Sequence, residues 1–456
     1  MSATCPVTVP ISAPKRRALA SLSRNGALAL SIRVFGAAGM LLCQIVLAKS
    51  LGVVGFGEYS QMVAWIQFLC IFGKLGLDNS SLRFVSEYTT TSDHETLAGF
   101  IRESSRASLV ASVCISAVTL LTVRVFRSSI GESLADCISI GCLMIPFISL
   151  RQIQEAAIRG LGLVMQSQIS FVVWPFSLLT LTFLIWKLAP DRVSSSESAA
   201  LHLVAVCLVS TMVYLFFRQS KLKATTGAPS SAARSLWWKT ASAFLAAELL
   251  IALKSRVCVA MAGAVMGSDS AGVYAAMERF SDAALLGAQS LGLITAPEFA
   301  SLFAAGRYSD MRRLMRRGQL LGLASTLPVA IAIAGFGPIL FDLLGEGFQR
   351  GWTVLLALLA SACITSLAGP AALVLQMTGR ERTMLAITAA CAASNVLLSL
   401  LLVLPLGIVG FGVSQIVTSI IWTVGVRYSL RVHPAWQSTA AHSSSTPIQI
   451  ATEEAP

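Results

Sequence analysis

A chain of 456 residues that is 55% apolar and only 12% charged, with a mean hydropathy of +0.74, is not composed like a soluble multidomain protein; it is composed for a bilayer. A net charge of +12 would suit nucleic acid, but the Lys and Arg residues lie scattered between apolar segments without a base-reading module, so that class is excluded. Ten cysteines without a CxxC pair and four scattered histidines give no metal-ligand spacing, so the thiols read as structural and neither a metal nor a cofactor is expected.

A spanning helix needs about 20 mainly apolar residues. In chain order, such segments are expected at 27–47, 56–77, 107–126, 134–158, 168–188, 199–217, 241–263, 273–296, 319–343, 352–377, 384–404 and 408–429. The runs are too long and too continuously apolar for barrel strands, so the fold class is all-α with about twelve transmembrane helices. Residues 1–26, with Lys15, Arg16, Arg17 and Arg24, are expected to be a cytoplasmic N-terminal segment. The apolar run that follows is too long for a signal peptide and holds Arg33, so it reads as a retained helix. Residues 27–217 are expected to form one six-helix bundle and 240–430 another. The polar stretch at 218–239, which begins RQSKLKATTGAPSSAARS, is expected to be a cytoplasmic linker between them. The segment 431–456, rich in Ser, Thr, Ala and Gln, is expected to be a disordered cytoplasmic tail, and no lipid-anchor motif stands at either end.

With the N-terminus placed inside, 22 of the 34 Lys and Arg residues fall in inside-facing segments, six in outside-facing segments and six within spans. This asymmetry is the positive-inside pattern for two cytoplasmic termini and an even number of spans, and the basic excess meets anionic headgroups. Every connection is short, which leaves no room for a soluble catalytic domain.

The two halves repeat one another. LGVVGFGEYSQM, Leu51 to Met62, and VMGSDSAGVYAAM, Val265 to Met277, share Gly-x4-Gly-x-Tyr: Gly52, Gly57 and Tyr59 return as Gly267, Gly272 and Tyr274, each offset by 215 residues. RGLG, from Arg159, and TGR, from Thr378, follow the fourth span of each half. Because six spans separate the repeats, they are parallel and related by an axis along the membrane normal. The other reading of the glycines is that they serve tight helical hairpins, as in LGIVGFG, Leu406 to Gly412.

The segments QIVLAKSLGVVGFGEYSQMVAWIQFLCIFGKLGLDNSSLRFVSEY, LKSRVCVAMAGAVMGSDSAGVYAAMERFSDA and LLGEGFQRGWTVLLALLASA, with Arg33 in the helix before the first, resemble polysaccharide-unit flippases of the multidrug/oligosaccharidyl-lipid/polysaccharide exporter superfamily. The likeness runs over about residues 25 to 430 as a diffuse pattern. It implies a bacterial inner-membrane flippase, not an enzyme, that carries O-antigen or exopolysaccharide units on undecaprenyl diphosphate from the cytoplasmic to the periplasmic leaflet. Cys258 stands where relatives often carry an acid two residues after the arginine matching Arg256, a departure that weakens any coupling role for that position.

An ionisable side chain inside a span is costly unless it is paired or wet, so such residues are the site candidates. Arg33 lies about 9 Å into its span, where it either snorkels or reaches a cavity. Lys74 with Asp78, and Arg151 with Glu155, are spaced i, i+4 near inner helix ends and read as surface ion pairs. Lys254, Arg256, Glu278, Arg279 and Asp282 share one depth on the seventh and eighth spans and are expected to turn inward. The cationic cavity for a diphosphate is therefore assigned to Arg256, Lys254, Arg33, Arg151 and Arg279, guanidinium being the bidentate partner for phosphate. Glu278, Asp282 and Glu248 are the candidates for proton or sodium coupling. The expected partners are the undecaprenyl-diphosphate-linked glycan, membrane lipids and polysaccharide polymerase machinery. A cation-coupled multidrug exporter of the same superfamily is the alternative, but its cavity should be lined by acids and aromatics. A polytopic polymerase or ligase should carry a large outer loop, which this chain lacks.

Overall fold

The computed structural model describes residues 15–188, 194–219, 231–255, 257–378 and 380–432, and their regular elements are all helical. The first half runs α1 (Lys15–Lys74), α2 (Leu77–Thr90), α3 (His94–Val125), α4 (Arg127–Ile130), α5 (Glu132–Cys142), α6 (Met144–Gly160), α7 (Val164–Leu188) and α8 (Ser195–Gln219). The second runs α9 (Ser231–Ser255), α10 (Val257–Met266), α11 (Ser268–Ala304), α12 (Tyr308–Gly335), α13 (Gly337–Leu344), α14 (Trp352–Met377), α15 (Glu381–Leu406) and α16 (Val409–Arg431).

Ten helices among the described residues are long and apolar enough to cross a membrane. One of them, Val34–Lys74, is two crossings in one, because Gly52 breaks α1 at φ 66° and ψ 179°, a conformation essentially confined to glycine. Gly267 does the same between α10 and α11 at φ 91° and ψ 169°. With the α1 break and the 37-residue α11, the helices correspond to the twelve expected crossings.

Several boundaries differ from expectation, among them the crossing expected at 319–343, which is divided into α12 and α13 at Phe336. The crossing expected at 134–158 is divided into α5 and α6 at Leu143. Pro146 explains the break: it has no N–H to give the carbonyl of Cys142, and the hydroxyl of Ser116 donates to that oxygen at 2.6 Å instead. The connection between the spans expected at 56–77 and 107–126 is α2 and the start of α3, with Leu77, Ser80, Ser81, Phe84 and Val85 buried at helical spacing. Parts of the expected N-terminal segment and of the 218–239 linker are also helical, since α1 starts at Lys15 and α9 at Ser231. The expected tail lies almost wholly outside the described residues.

Side-chain distribution follows from the solvent being lipid. Along the middle of α3 Ser104, Ser108, Ser112 and Ser116 are buried, four residues apart, while Val110, Val118 and Leu121 point outward. Small polar residues let helices approach closely and exchange hydrogen bonds, and apolar ones meet acyl chains.

The repeat is where the halves meet. A Cβ on Gly57 would collide with the carbonyl oxygen of Ser268, and a Cβ on Gly272 with that of Val53. Residues 53 and 57 stand at the repeat's offset from 268 and 272, so each glycine faces the symmetry mate of the other's obstacle. That reciprocity is what a twofold axis between α1 and α11 requires. Gln61 extends the seam by donating to the Ser268 hydroxyl at 2.9 Å. At the opposite end, Gly76 lies against the Ala241 carbonyl of α9, and Trp237 of α9 donates to the Tyr88 hydroxyl of α2 at 2.8 Å.

Candidate functional site

Between these two seams lies a cavity of about 430 Å³. Its wall is formed by α1 from Met62 to Lys74, by Arg151 and Gln152 of α6, by Trp174 and His202, and, from the second half, by Glu248, Ile251 and Ala252.

Local structure explains why Lys74 faces inward. The helix of α1 stops there because Leu75 and Gly76 adopt left-handed φ values of 55° and 72°. The freed carbonyl of Gly73 is capped by the Ser108 hydroxyl at 3.0 Å. A side chain at residue 73 would strike Ser149 and Ser112, so glycine brings α1, α3 and α6 together and sets Lys74 beside Arg151 on the cavity wall.

Lys74 is only 9% exposed. Its ammonium lies 2.6 Å from Asp78 Oδ2 and 2.9 Å from Glu248 Oε2, and Asn79 donates to Glu248 Oε1 at 2.8 Å. Glu248 belongs to α9, so this network joins the two halves. The sequence reading of Lys74 and Asp78 as a surface pair is corrected here, because α9 covers them. Arg151 pairs with Glu155 at 3.1 Å, and this pair too is largely buried. His202 Nδ1 and the Tyr59 hydroxyl are 2.9 Å apart, and the Trp174 ring stacks obliquely on His202 at 5.3 Å. With the partners Asp78 and Glu155 counted, two cations face three carboxylates, so these groups carry one negative charge in excess.

The other candidates cluster in the second half. The Lys254 ammonium sits 3.4 Å from the centre of the Trp422 ring, a cation–π contact, and the Lys254 carbonyl, near the end of α9, accepts from Asn395 at 2.8 Å. Arg279 donates to Asp282 at 3.4 Å, with the Asp282 side chain 56% exposed. Glu278 is half-buried on the same helix. Arg256 lies outside the described residues, as does the side chain of Arg33 on α1. The structure therefore brings Arg151 and Glu248 to one cavity and sets Lys254, Arg279, Glu278 and Asp282 on α9 and α11, none of them among that cavity's lining residues. Sequence reasoning missed Lys74, Asn79, His202 and Trp174 as site residues. Lys74 had a signal, being a cation within a span, but its cross-half partner lies 174 positions away. Among the described residues, no group of three or more His, Cys, Asp or Glu is arranged to hold a metal.

Residues 22–302 match the model of the family described as "Polysaccharide biosynthesis protein", which is more than half of the chain. The chain belongs to the polysaccharide biosynthesis protein family. No curated protein matches its sequence. Its fold is similar to a multidrug resistance MATE family transporter of the MOP superfamily in an inward-facing conformation, with TM-score 0.71 and 15% identity over 91% of this chain and 100% of that one. It is also similar to a Vibrio cholerae MATE transporter, with TM-score 0.66 and 16% identity over 92% and 100% of the two chains. A third is a Pyrococcus furiosus MOP superfamily transporter described by the reverse polarity of its binding pocket, with TM-score 0.63 and 14% identity over 89% and 95%. This member of the polysaccharide biosynthesis family is thus a multi-pass membrane protein whose fold is that of the MATE proteins it resembles.

Proposed function

We propose that this protein is a flippase for oligosaccharide units carried on undecaprenyl diphosphate, moving them from the cytoplasmic to the periplasmic leaflet of the bacterial inner membrane. The observation that supports this most is the family match on a two-halved transporter fold with a charged cavity at the junction of the halves. Flipping breaks and forms no covalent bond; it requires a polar path for sugar and diphosphate while the polyprenyl tail remains in lipid. Alternating access supplies that path when one half rocks against the other about the glycine seam. In this reading Arg256 is the bidentate phosphate ligand, Arg151, Arg33, Lys254 and Arg279 lend positive potential, and Glu248, Glu278 and Asp282 are the acids available for proton or sodium coupling. Both termini and the segment around Thr225 face the cytoplasm. Labelling of a cysteine at 225 by an impermeant reagent in intact spheroplasts would contradict that orientation.

The test is reconstitution of the purified chain into vesicles with a radiolabelled lipid-linked oligosaccharide in one leaflet. Protein-dependent arrival of label in the other leaflet is expected, without polymer growth. Failure to move the lipid under a proton or sodium gradient of either direction refutes the reading.

A second reading, export of organic cations, is favoured by one observation: Trp174 and His202 line the cavity beside the Glu248 carboxylate. Uptake of a fluorescent cation by the same vesicles, with no lipid flipping, would select it.

A further inference from the structure

We infer that Lys74 is an exchange latch: in the empty carrier it holds the second half through Glu248, and an arriving phosphate oxygen takes the place of that carboxylate, so that cargo binding itself unties the halves. This rests on the diphosphate-lipid reading above and adds how cargo is coupled to movement.

The first ground is where the contact lies. Lys74 and Glu248 both line the cavity, and the 2.9 Å bond between them joins α1 to α9, which belong to different halves. A group that enters the cavity therefore meets an inter-half bond and not merely a wall.

Charge supplies the second ground. Lys74, Arg151 and Glu248 line the cavity with Asp78 and Glu155 paired to the two cations, and these five groups carry one negative charge in excess, so neither cation is free for a diphosphate while Glu248 holds Lys74. Withdrawal of Glu248 with α9 leaves two cations and two carboxylates, and the site becomes neutral. Asp78 cannot be the group that withdraws with the second half, since it lies on α2, in the same half as Lys74 and just past the turn, and is held 2.6 Å from it. An ammonium has three donors and little directional demand, so it can hold Asp78 throughout and trade its second partner.

The backbone gives the third ground. Leu75, next to Lys74, is a non-glycine residue at φ 55°, and Gly76 at φ 72° is wedged against the Ala241 carbonyl and, at 2.6 Å from a virtual Cβ, against the Leu245 nitrogen of α9. The turn that carries the latch thus lies against the helix that must leave, and its left-handed residues are of the kind found where chains switch.

The experiment uses the full chain in lipid nanodiscs, with spin labels at the exposed positions Thr89 and Ser235 in a cysteine-free background, and inorganic pyrophosphate as probe. In the parent protein, pyrophosphate should lengthen the distance between the labels. Glu248→Gln should show the longer distance without pyrophosphate and bind it about tenfold more tightly, because the competing carboxylate is gone. Lys74→Gln should neither bind nor respond. Lys74→Gln combined with Glu248→Gln keeps the site's net charge and avoids stranding Glu248; it should fold and remain unresponsive. The latch is overturned if the double variant responds like the parent, or if Glu248→Gln keeps the short distance and the parent affinity. If the parent binds neither pyrophosphate nor undecaprenyl diphosphate, the flippase reading falls with it; if it binds both regardless of Lys74, the latch alone falls.

Discussion

Gly57→Ala tests the seam between the halves with a single methyl group. That methyl would sit on the carbonyl oxygen of Ser268 and 3.0 Å from the Gly272 nitrogen. Both obstacles are backbone, so no rotamer change relieves them, and the helices α1 and α11 must separate. Overpacking of this kind costs about 1–3 kcal/mol, and a rigid obstacle puts the cost toward the upper end. The penalty applies only while the α1–α11 crossing is closed, so it shifts the equilibrium toward separated halves by roughly 5–150-fold. Gly272→Ala, which meets the Val53 carbonyl, should behave alike because the contact is reciprocal. Gly369→Ala is the control: it lies within α14 with open space around it, and a helical alanine there should be neutral or stabilising by about 0.5–1 kcal/mol. Opening is read with Ser270→Cys, a buried position at the seam, in a cysteine-free background labelled by an impermeant maleimide, alongside the melting temperature in detergent. Faster labelling and a lower melting temperature are expected for both seam variants. Parent-like labelling and melting for Gly57→Ala would refute the close crossing.

Ser116→Ala should destabilise the protein by about 1–3 kcal/mol by orphaning the Cys142 carbonyl, whereas in a Pro146→Ala background, where residue 146 regains its N–H, the same change should cost far less; equal costs in the two backgrounds would contradict the assigned bond. Arg256→Lys should retain membrane abundance but transport poorly, and Arg256→Ala should lose nearly all surface glycan; normal display by Arg256→Ala would move the assignment to Arg33 and Arg151. Asp93 caps α3 by accepting from the Thr96 N–H at 3.1 Å, and its contacts with Thr96, hydroxyl first and then backbone, hold its carboxyl below the ordinary range. A depressed carboxyl contributes stability above its unfolded value and loses it as pH falls through its folded value. The protection of amides at the start of α3, relative to their intrinsic exchange rates, should therefore fall only in acid, and Asp93→Asn should flatten that dependence.

The helices were legible because a bilayer demands long apolar runs, and the parallel halves because the Gly-x4-Gly-x-Tyr repeat carries geometry with it: Gly52 and Gly267 break helices in the same conformation, and Gly57 and Gly272 face each other. What escaped was of two kinds. Helix α2 escapes a search for spans because its buried face mixes Ser80 and Ser81 with Leu77, Phe84 and Val85, so an apolar count underrates a periodicity that burial reveals. Lys74 reads from the sequence as a surface residue because i, i+4 spacing to Asp78 explains it locally, and nothing local announces Glu248. A cation within a span has two possible explanations, its own helix or another, and sequence displays only the first.

The same distinction separates the two halves chemically. Tyr59 and Tyr274 occupy equivalent places in the repeat and both are buried, yet Tyr59 lies 2.9 Å from a ring nitrogen of His202 while Tyr274 packs on the ring of Phe411 at 5.6 Å. One copy of the frame was turned toward a polar cavity, and the other toward apolar packing. The polar copy then draws Glu248 across from its partner half, so the cavity's charge depends on whether the halves touch there. A symmetric frame moves two rigid bodies, but it cannot by itself make that movement depend on what is bound. An asymmetric site whose charge changes when the bodies part can do so, and on the proposed flippase reading this places the functional residues where the duplication fails.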